Sequence, residues 1–257
     1  DNAPRWDRAL ARIDPGEISY ARVDDTIVDA SQRPTRAEYD RYFFIVRERA
    51  RLGFRPPRPD SEPLLITDVA LAAILARAEL DLAWLGEALG VDVAGAPARR
   101  ARLAEALAGP LWDPARGRHH DLDVLSGEPV RVEHVAALLP VFSGLVAPEV
   151  AAAIAARLDD PGDFGAPWPV PSVPVGDPAF EARRYWRGPT WINVNWMLID
   201  GLAGAGQTAA ADRLAGRTLE LVERSGFREY FDPLTGDGCG AEEFAWTAAL
   251  AIDLLER

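Results

Sequence analysis

The sequence predicts an all-α domain, and three observations predict it. Apolar residues recur at helical spacing along most of the chain, strand-like alternation is weak, and short turns alternate with long loops rich in Trp, Pro, Gly and Asp. Helices paired through short turns at one end, with elaborate loops at the other, make a toroid-like pattern. No composition shift marks a linker, so residues 1–257 read as a single domain. With 257 residues and 48% apolar content, a substantial core is affordable.

The elements follow in chain order. Residues 1–12 contain "RWDRALAR", a short helix, and residues 36–51, "RAEYDRYFFIVRERAR", form a longer one. Thr67 to Leu89 carries apolar residues at i, i+3, i+4 and i+7; Thr67 or Asp68 caps its start and Gly90 ends it. Ala96 to Leu107 is next, stopped by Gly109-Pro110. Val132–Leu145 and Pro148–Leu158 are two more helices. Thr190–Leu202, with Pro189 in its first turn, Thr208–Ser225 and a helix beginning near Glu243 and ending at Leu255 complete the set. The connections 91–96 and 203–207 are short. The long ones, 110–131, 159–189 and 226–242, are where function is expected.

Composition excludes several classes. The net charge is −12, every positive side chain is Arg, and these are interspersed with acids. Without a basic stripe, nucleic acid is not an expected partner. Cys239 is the sole cysteine, which leaves no internal disulfide and no Cys-based zinc site. His119, His120 and His134 are too few and too poorly spaced for a metal cluster, so neither metal nor other cofactor is expected. The same shortage disfavours the zinc-dependent all-α toroids. Apolar runs of helix length carry charges, so no membrane span is expected. No secretion signal is visible, and the chain starts at Asp1 without Met; a cytoplasmic location is the expectation.

Two stretches concentrate chemistry. In "RRYWRGPTWINVNWMLIDGL", residues 183–202, Tyr185, Trp186, Arg187, Trp191, Asn193 and Asn195 crowd the mouth of a helix. Aromatic rings offer flat apolar faces to sugar C–H groups, while Arg and Asn bond hydroxyls. Trp191 and Asn195, four apart, share a helix face. The plainer alternative is a packed aromatic core. In "FREYFDPLTGDGCGAEEFAWTAAL", residues 227–250, Glu229 precedes a turn and a loop containing Gly236, Gly238 and Gly240. The spacing is not that of a phosphate-binding loop, and there is no Lys to complete one. A helix connector, with Glu242 or Glu243 supporting the next N-terminus, is the bland reading. Asp232 fixes the Gly loop.

Together with "DNAPRWD" at residues 1–7, these stretches resemble three ordered motifs of the glycoside hydrolases related to trehalases, processing α-glucosidase I and the glucosylglycerate and mannosylglycerate hydrolases. The last group, within family 63, looks most similar: Y-W-R-G-P-x-W-x-N-x-N-W, then E-Y-F-D-P-x-T-G, then F-x-W-T-A, with D-N-S-P-R-W-D near the start. Ala3 stands where that last motif has Ser.

The resemblance implies an (α/α)6 barrel of which this chain is roughly the C-terminal two-thirds, and inverting hydrolysis of an α-glucosyl or α-mannosyl bond in a small solute such as glucosylglycerate or mannosylglycerate. Asp1 matches the general acid and Glu229 the general base. An inverting pair needs a protonated acid, an ionised base and roughly 6.5–9.5 Å between carboxyl groups to admit water. Tyr185, Trp186, Arg187, Gly188 and Trp191 match the sugar-pocket wall. Arg36 and Tyr42 match a loop that supplies Arg and Tyr to a glycerate carboxylate, although an amphipathic helix with Arg on its wet face reads equally well. Two alternatives stay open: an α-glucosidase of oligosaccharides or a trehalase-like hydrolase, the latter disfavoured by the absence of the G-G-G-G-E-Y loop of trehalases, and an inactive carbohydrate-binding toroid. The implied partners are a small carbohydrate, the missing N-terminal part of the same domain and further copies of the chain.

Other residues receive structural readings. His119 and His120 pack a loop, Cys239 is a loop thiol with no basic neighbour to activate it, and Trp112 and Trp168 belong either to the core or to a pocket rim.

Overall fold

The computed structural model describes residues 2–257. It is largely helical. A 3₁₀ turn, Pro4–Trp6, runs into α1 (Asp7–Leu10), and α2 (Asp24–Ile27) and a 3₁₀ turn, Ala30–Gln32, precede α3 (Arg36–Arg51). Thr35 and Glu38 cap the start of α3 with a reciprocal capping box, in which each side chain satisfies the other's backbone N–H. α4 (Val69–Leu89) starts where Asp68 accepts the Ala70 and Leu71 N–H groups, and it ends at Gly90. α5 (Ala96–Ala108) returns against it, with Pro97 in its first turn. α6 (Pro148–Asp159), α7 (Ile192–Gly204), α8 (Thr208–Ser225) and α9 (Ala245–Leu255) follow.

The predicted Val132–Leu145 helix is absent. That stretch makes two 3₁₀ segments, Val135–Ala137 and Leu139–Ser143, closed by i to i+3 bonds such as Leu138 N–H to the Val135 carbonyl at 3.0 Å. Pro140 has no N–H to give an α-helical ladder, so the apolar run tightens into 3₁₀ form. It lies between α4 and α7 and fills the core with Leu138, Leu139 and Val141. The last helix starts at Ala245 rather than near Glu243. Glu243 sits at φ +51° outside it, and Glu242 pairs with Arg228 instead of supporting the helix end.

The long loops hold small antiparallel pairings that the helical periodicity did not signal. β1 (Ile66–Thr67), β4 (Asp121–Asp123) and β5 (Glu128–Val130) form a three-stranded sheet in the order β1-β4-β5, with Ile66 opposite Asp123 and Asp121 opposite Val130. β2 (Trp112–Asp113) pairs with β3 (Arg118–His119), and β6 (Tyr230–Phe231) with β7 (Gly238–Cys239). Thr190 is not helical: its N–H and carbonyl bond Phe231 at 2.8 and 2.9 Å. That bridge keeps Pro189 out of a helical turn and lays the 183–191 segment beside the strand that follows Glu229.

The main core joins Leu138, Val141, Ile154, Leu198, Leu202 and Leu214 to Trp191 and Tyr230, so the aromatic segment is anchored in the deepest packing. Among the described residues no helix is long and apolar enough to cross a membrane.

Candidate active site

Glu229 sits one residue before β6. Its N–H donates to the Ala241 carbonyl (3.0 Å), and Ala241 returns its N–H to Glu229 Oε2 (3.1 Å). Gly240, at φ +70°, passes so close that a Cβ there would lie 2.5 Å from Oε2. Only glycine permits this turn and this approach together. Across the chain, Arg33 meets the carboxylate in bidentate fashion, Nη1 to Oε1 at 3.1 Å and Nη2 to Oε2 at 2.7 Å, with both side chains about nine-tenths buried. Such a fork fixes carboxylate orientation as well as charge. The neighbouring Gln32 accepts from the Tyr230 hydroxyl (3.4 Å) and the Gly240 N–H (3.3 Å) through one oxygen.

Three rings form a wall next to this pair. Trp186 and Trp191 stack with centroids 4.2 Å apart and planes within 2°, and Tyr185 meets Trp191 edge-on at 5.3 Å. The Arg33 guanidinium lies 4.9 Å from the Tyr185 ring. Tyr185 takes the left-handed region, φ +41°, a backbone conformation costly for a bulky residue. It is held there by Trp191 Nε1, which donates to its carbonyl at 3.1 Å. Burial pushes the Tyr185 hydroxyl pKa up, and the Glu229 carboxylate adds to the effect.

The N-terminal motif is clamped to the same wall. Asn2, fully buried, accepts the Trp186 N–H on Oδ1 (3.1 Å), and its carbonyl accepts from Arg187 Nη1 (3.0 Å). Arg187 also holds Asp7 at 2.6 and 3.1 Å. Buried Arg5 ties the motif down from behind, bonding Asp121 at 2.7 Å and Asp68 at 2.9 Å. His134 sets the wall from beneath. Its Nδ1 accepts the Ala136 N–H, so the proton resides on Nε2, which donates to the Trp186 carbonyl at 3.3 Å. Burial holds this imidazole neutral, its pKa far below the usual value. Asp1 lies outside the described residues; the clamp begins with its neighbour.

Of the anticipated site residues, Tyr185, Trp186, Trp191, Arg187 and Glu229 are brought together. Gly188 serves by close approach: a Cβ would lie 2.3 Å from the Glu181 carbonyl oxygen. Arg36 points elsewhere. It is exposed, stacks on the Tyr20 ring at 4.0 Å and pairs with Asp40 at 3.1 Å. Tyr42 is half-buried near Arg187, and burial with the Glu38 and Asp7 carboxylates pushes its hydroxyl pKa up. Beside it, Asp7, Glu38, Arg41, Arg184 and Arg187 line a cavity of about 280 Å³. Asn195 is no pocket residue. Fully buried, it accepts from Val170 N–H and donates to the Pro169 carbonyl and Thr218 Oγ1, stapling α7 to α8 and the preceding loop. Arg33 and Gln32 were missed. The available signal was "QRP": a residue before proline is held extended, off the α3 face, and so free to reach inward.

Asp232 fixes the glycine loop as read, accepting from Leu234 and Thr235 N–H. His119 and His120 are buried packing residues, and the Trp112 ring meets His119 at a tilt of 58°, centroids 4.7 Å apart. Trp168 packs beneath Arg217 at 4.6 Å. Cys239 does have a basic neighbour, Arg183, but burial outweighs it and the thiol pKa is raised.

Residues 1–247 match the family model of the mannosylglycerate hydrolase MGH1-like glycoside hydrolase domain. The chain belongs to this glycoside hydrolase family. It is 40% identical over 98% of its length to a mannosylglycerate hydrolase of Thermus thermophilus, and 32% identical over 99% to a glucosylglycerate hydrolase of Mycolicibacterium hassiacum. It spans 61% and 59% of those proteins. The crystal structure of a family 63 mannosylglycerate hydrolase from Thermus thermophilus, in complex with Tris and D-glycerate, superposes with a TM-score of 0.94 at 39% identity. That match covers all of this chain and 62% of the other. These relatives are thus longer than this chain by roughly two fifths of their own length.

Proposed function

We propose that this chain carries both carboxylates of an inverting glycoside hydrolase that cleaves an α-mannosyl or α-glucosyl bond in a small solute such as mannosylglycerate or glucosylglycerate. The observation that carries the reading is convergence. Asn2, next to Asp1, and Arg33, which holds Glu229, both abut the Tyr185–Trp186–Trp191 wall, although Asn2 and Glu229 come from opposite ends of the chain.

In this reading Asp1 protonates the glycosidic oxygen while Glu229 takes a proton from a water attacking the opposite face of the sugar. Half-buried Tyr185 and Trp186 supply an apolar face for the sugar, with the buried Trp191 backing them, and Arg187, oriented by Asp7 and the Asn2 carbonyl, keeps the acid-bearing segment in place. A glyceric acid aglycone fits a surface with several guanidinium groups nearby; Arg187 bonds Asn2 and Tyr42 lies near it, whereas Arg36 is taken up by Tyr20 and Asp40. The full enzyme would be an (α/α)6 toroid, with the segment that relatives carry beyond this chain completing the ring and the pocket.

The test uses the full-length protein bearing this chain. Glu229→Gln is expected to abolish hydrolysis, a loss of at least about 10³-fold, while sugar binding measured by calorimetry persists. NMR of the first product from an α-linked substrate should show the β-anomer. An α-anomer, or turnover in the Gln variant, defeats the assignment.

A further inference from the structure

We infer that Arg33 is the positioning residue for Glu229 and that the pair leaves one defined oxygen, Oε1, to meet the attacking water; this rests on the reading of Glu229 as base. A carboxylate oxygen offers about two acceptor sites. Oε2 is filled by Arg33 Nη2 at 2.7 Å and the Ala241 N–H at 3.1 Å. Among the described residues, Oε1 receives only Arg33 Nη1, at 3.1 Å. One lone pair of Oε1 therefore stays free to accept from water, and the fork determines which way it points.

The support around the pair is built from several elements. Gln32 bonds the Gly240 N–H and the Tyr230 hydroxyl, tying the turn that carries Arg33 to the loop behind Glu229. The guanidinium lies among the Tyr185 and Tyr230 rings, at 4.9 and 5.8 Å, which limits its swing. Gly240 lets the Ala241 N–H approach Oε2. A carboxylate held on one oxygen by a backbone N–H alone would rotate about its terminal bond; the second, bidentate contact removes that rotation.

Arg33→Ala and Arg33→Lys in the full-length protein test the inference, with Glu229→Gln as reference. Arg33→Ala is expected to lower kcat on the order of 10²-fold with KM changed less than about threefold, because misaiming a reacting group affects the chemical step. Arg33→Lys, keeping charge but not the fork, should fall between. The decisive readout is chemical rescue: millimolar guanidinium chloride should restore part of kcat to Arg33→Ala and none to Glu229→Gln. Wild-type kcat in Arg33→Ala overturns the inference, as does a loss confined to KM, or a loss that guanidinium does not relieve. If Glu229→Gln itself retains turnover, the reading of the base fails, independently of what Arg33 variants do.

Discussion

At the residue scale, burial keeps the His119 and His134 imidazoles neutral, and this has a pH consequence. Burial lowers the His119 pKa to about 4, against about 6.5 for an unperturbed His. The unfolded chain therefore binds a proton at His119 that the folded chain refuses between those values. Stability present above about pH 6.5 is lost as pH falls towards 4, by up to about 3 kcal/mol. Denaturant midpoints from pH 7 to 4.5 should fall steeply in the native chain and less steeply in His119→Gln. An equal slope in both counts against a neutral buried His119. The Trp186–Trp191 pair was legible because aromatic type carries the signal; Glu229 was singled out by the motif resemblance, since by pattern alone its stretch reads as a helix connector. Arg33 was not, because a guanidinium on a turn and one on a helix face look alike until the chain path is known, and Arg36 three residues on competed for the same role.

At the element scale, the start of α4 is where the N-terminal motif meets the scaffold. Asp68 caps α4 and also pairs with buried Arg5. Asp68→Ala is expected to cost about 2 kcal/mol, more than a cap alone, since Arg5 would keep only Asp121. Urea unfolding of that variant, alone and with Arg5→Met, should show coupling between the two positions; additive losses would mean the contact contributes nothing. The ends of α4 were legible because Asp and Gly at those positions have a mechanism. The 132–145 stretch was not: "HVAALLPVF" is apolar at helical spacing whether it coils as α or as 3₁₀, and a single Pro140 decides. The two-residue strands of the long loops leave no periodicity to read, since a ladder of two residues is set by tertiary contact rather than by alternation.

At the scale of the whole molecule, α4 exposes Leu71, Leu75, Leu82, Leu85 and Leu89, which recur at helical intervals along one stripe. Such a seam is larger than a lone soluble chain usually leaves in water. The chain by itself is expected to self-associate with rising concentration in light scattering, and Leu75→Gln with Leu82→Gln should reduce this without changing helical content. Scattering independent of both concentration and substitution would show the stripe to be inert. The largely helical character was legible because periodicity is local, while the small sheets of the loops were not. Closure of the site was not, because Arg33 and Glu229 are separated by 196 positions, and Asn2 and Trp186 by 184.

Those separations bear on how the molecule fails. Between Arg33 and the scaffold runs the exposed, Pro-rich stretch 53–61, which no helix or strand protects. A protease cutting there would free the guanidinium-bearing arm from covalent attachment to the rest, so that a tethered encounter becomes one between two separate polypeptides. Most helices lie beyond the cut and would survive it, so the particle would still look folded by circular dichroism, while the grip of Arg33 on its carboxylate would rest on non-covalent contacts such as those of Asn2, Arg5 and Asp7.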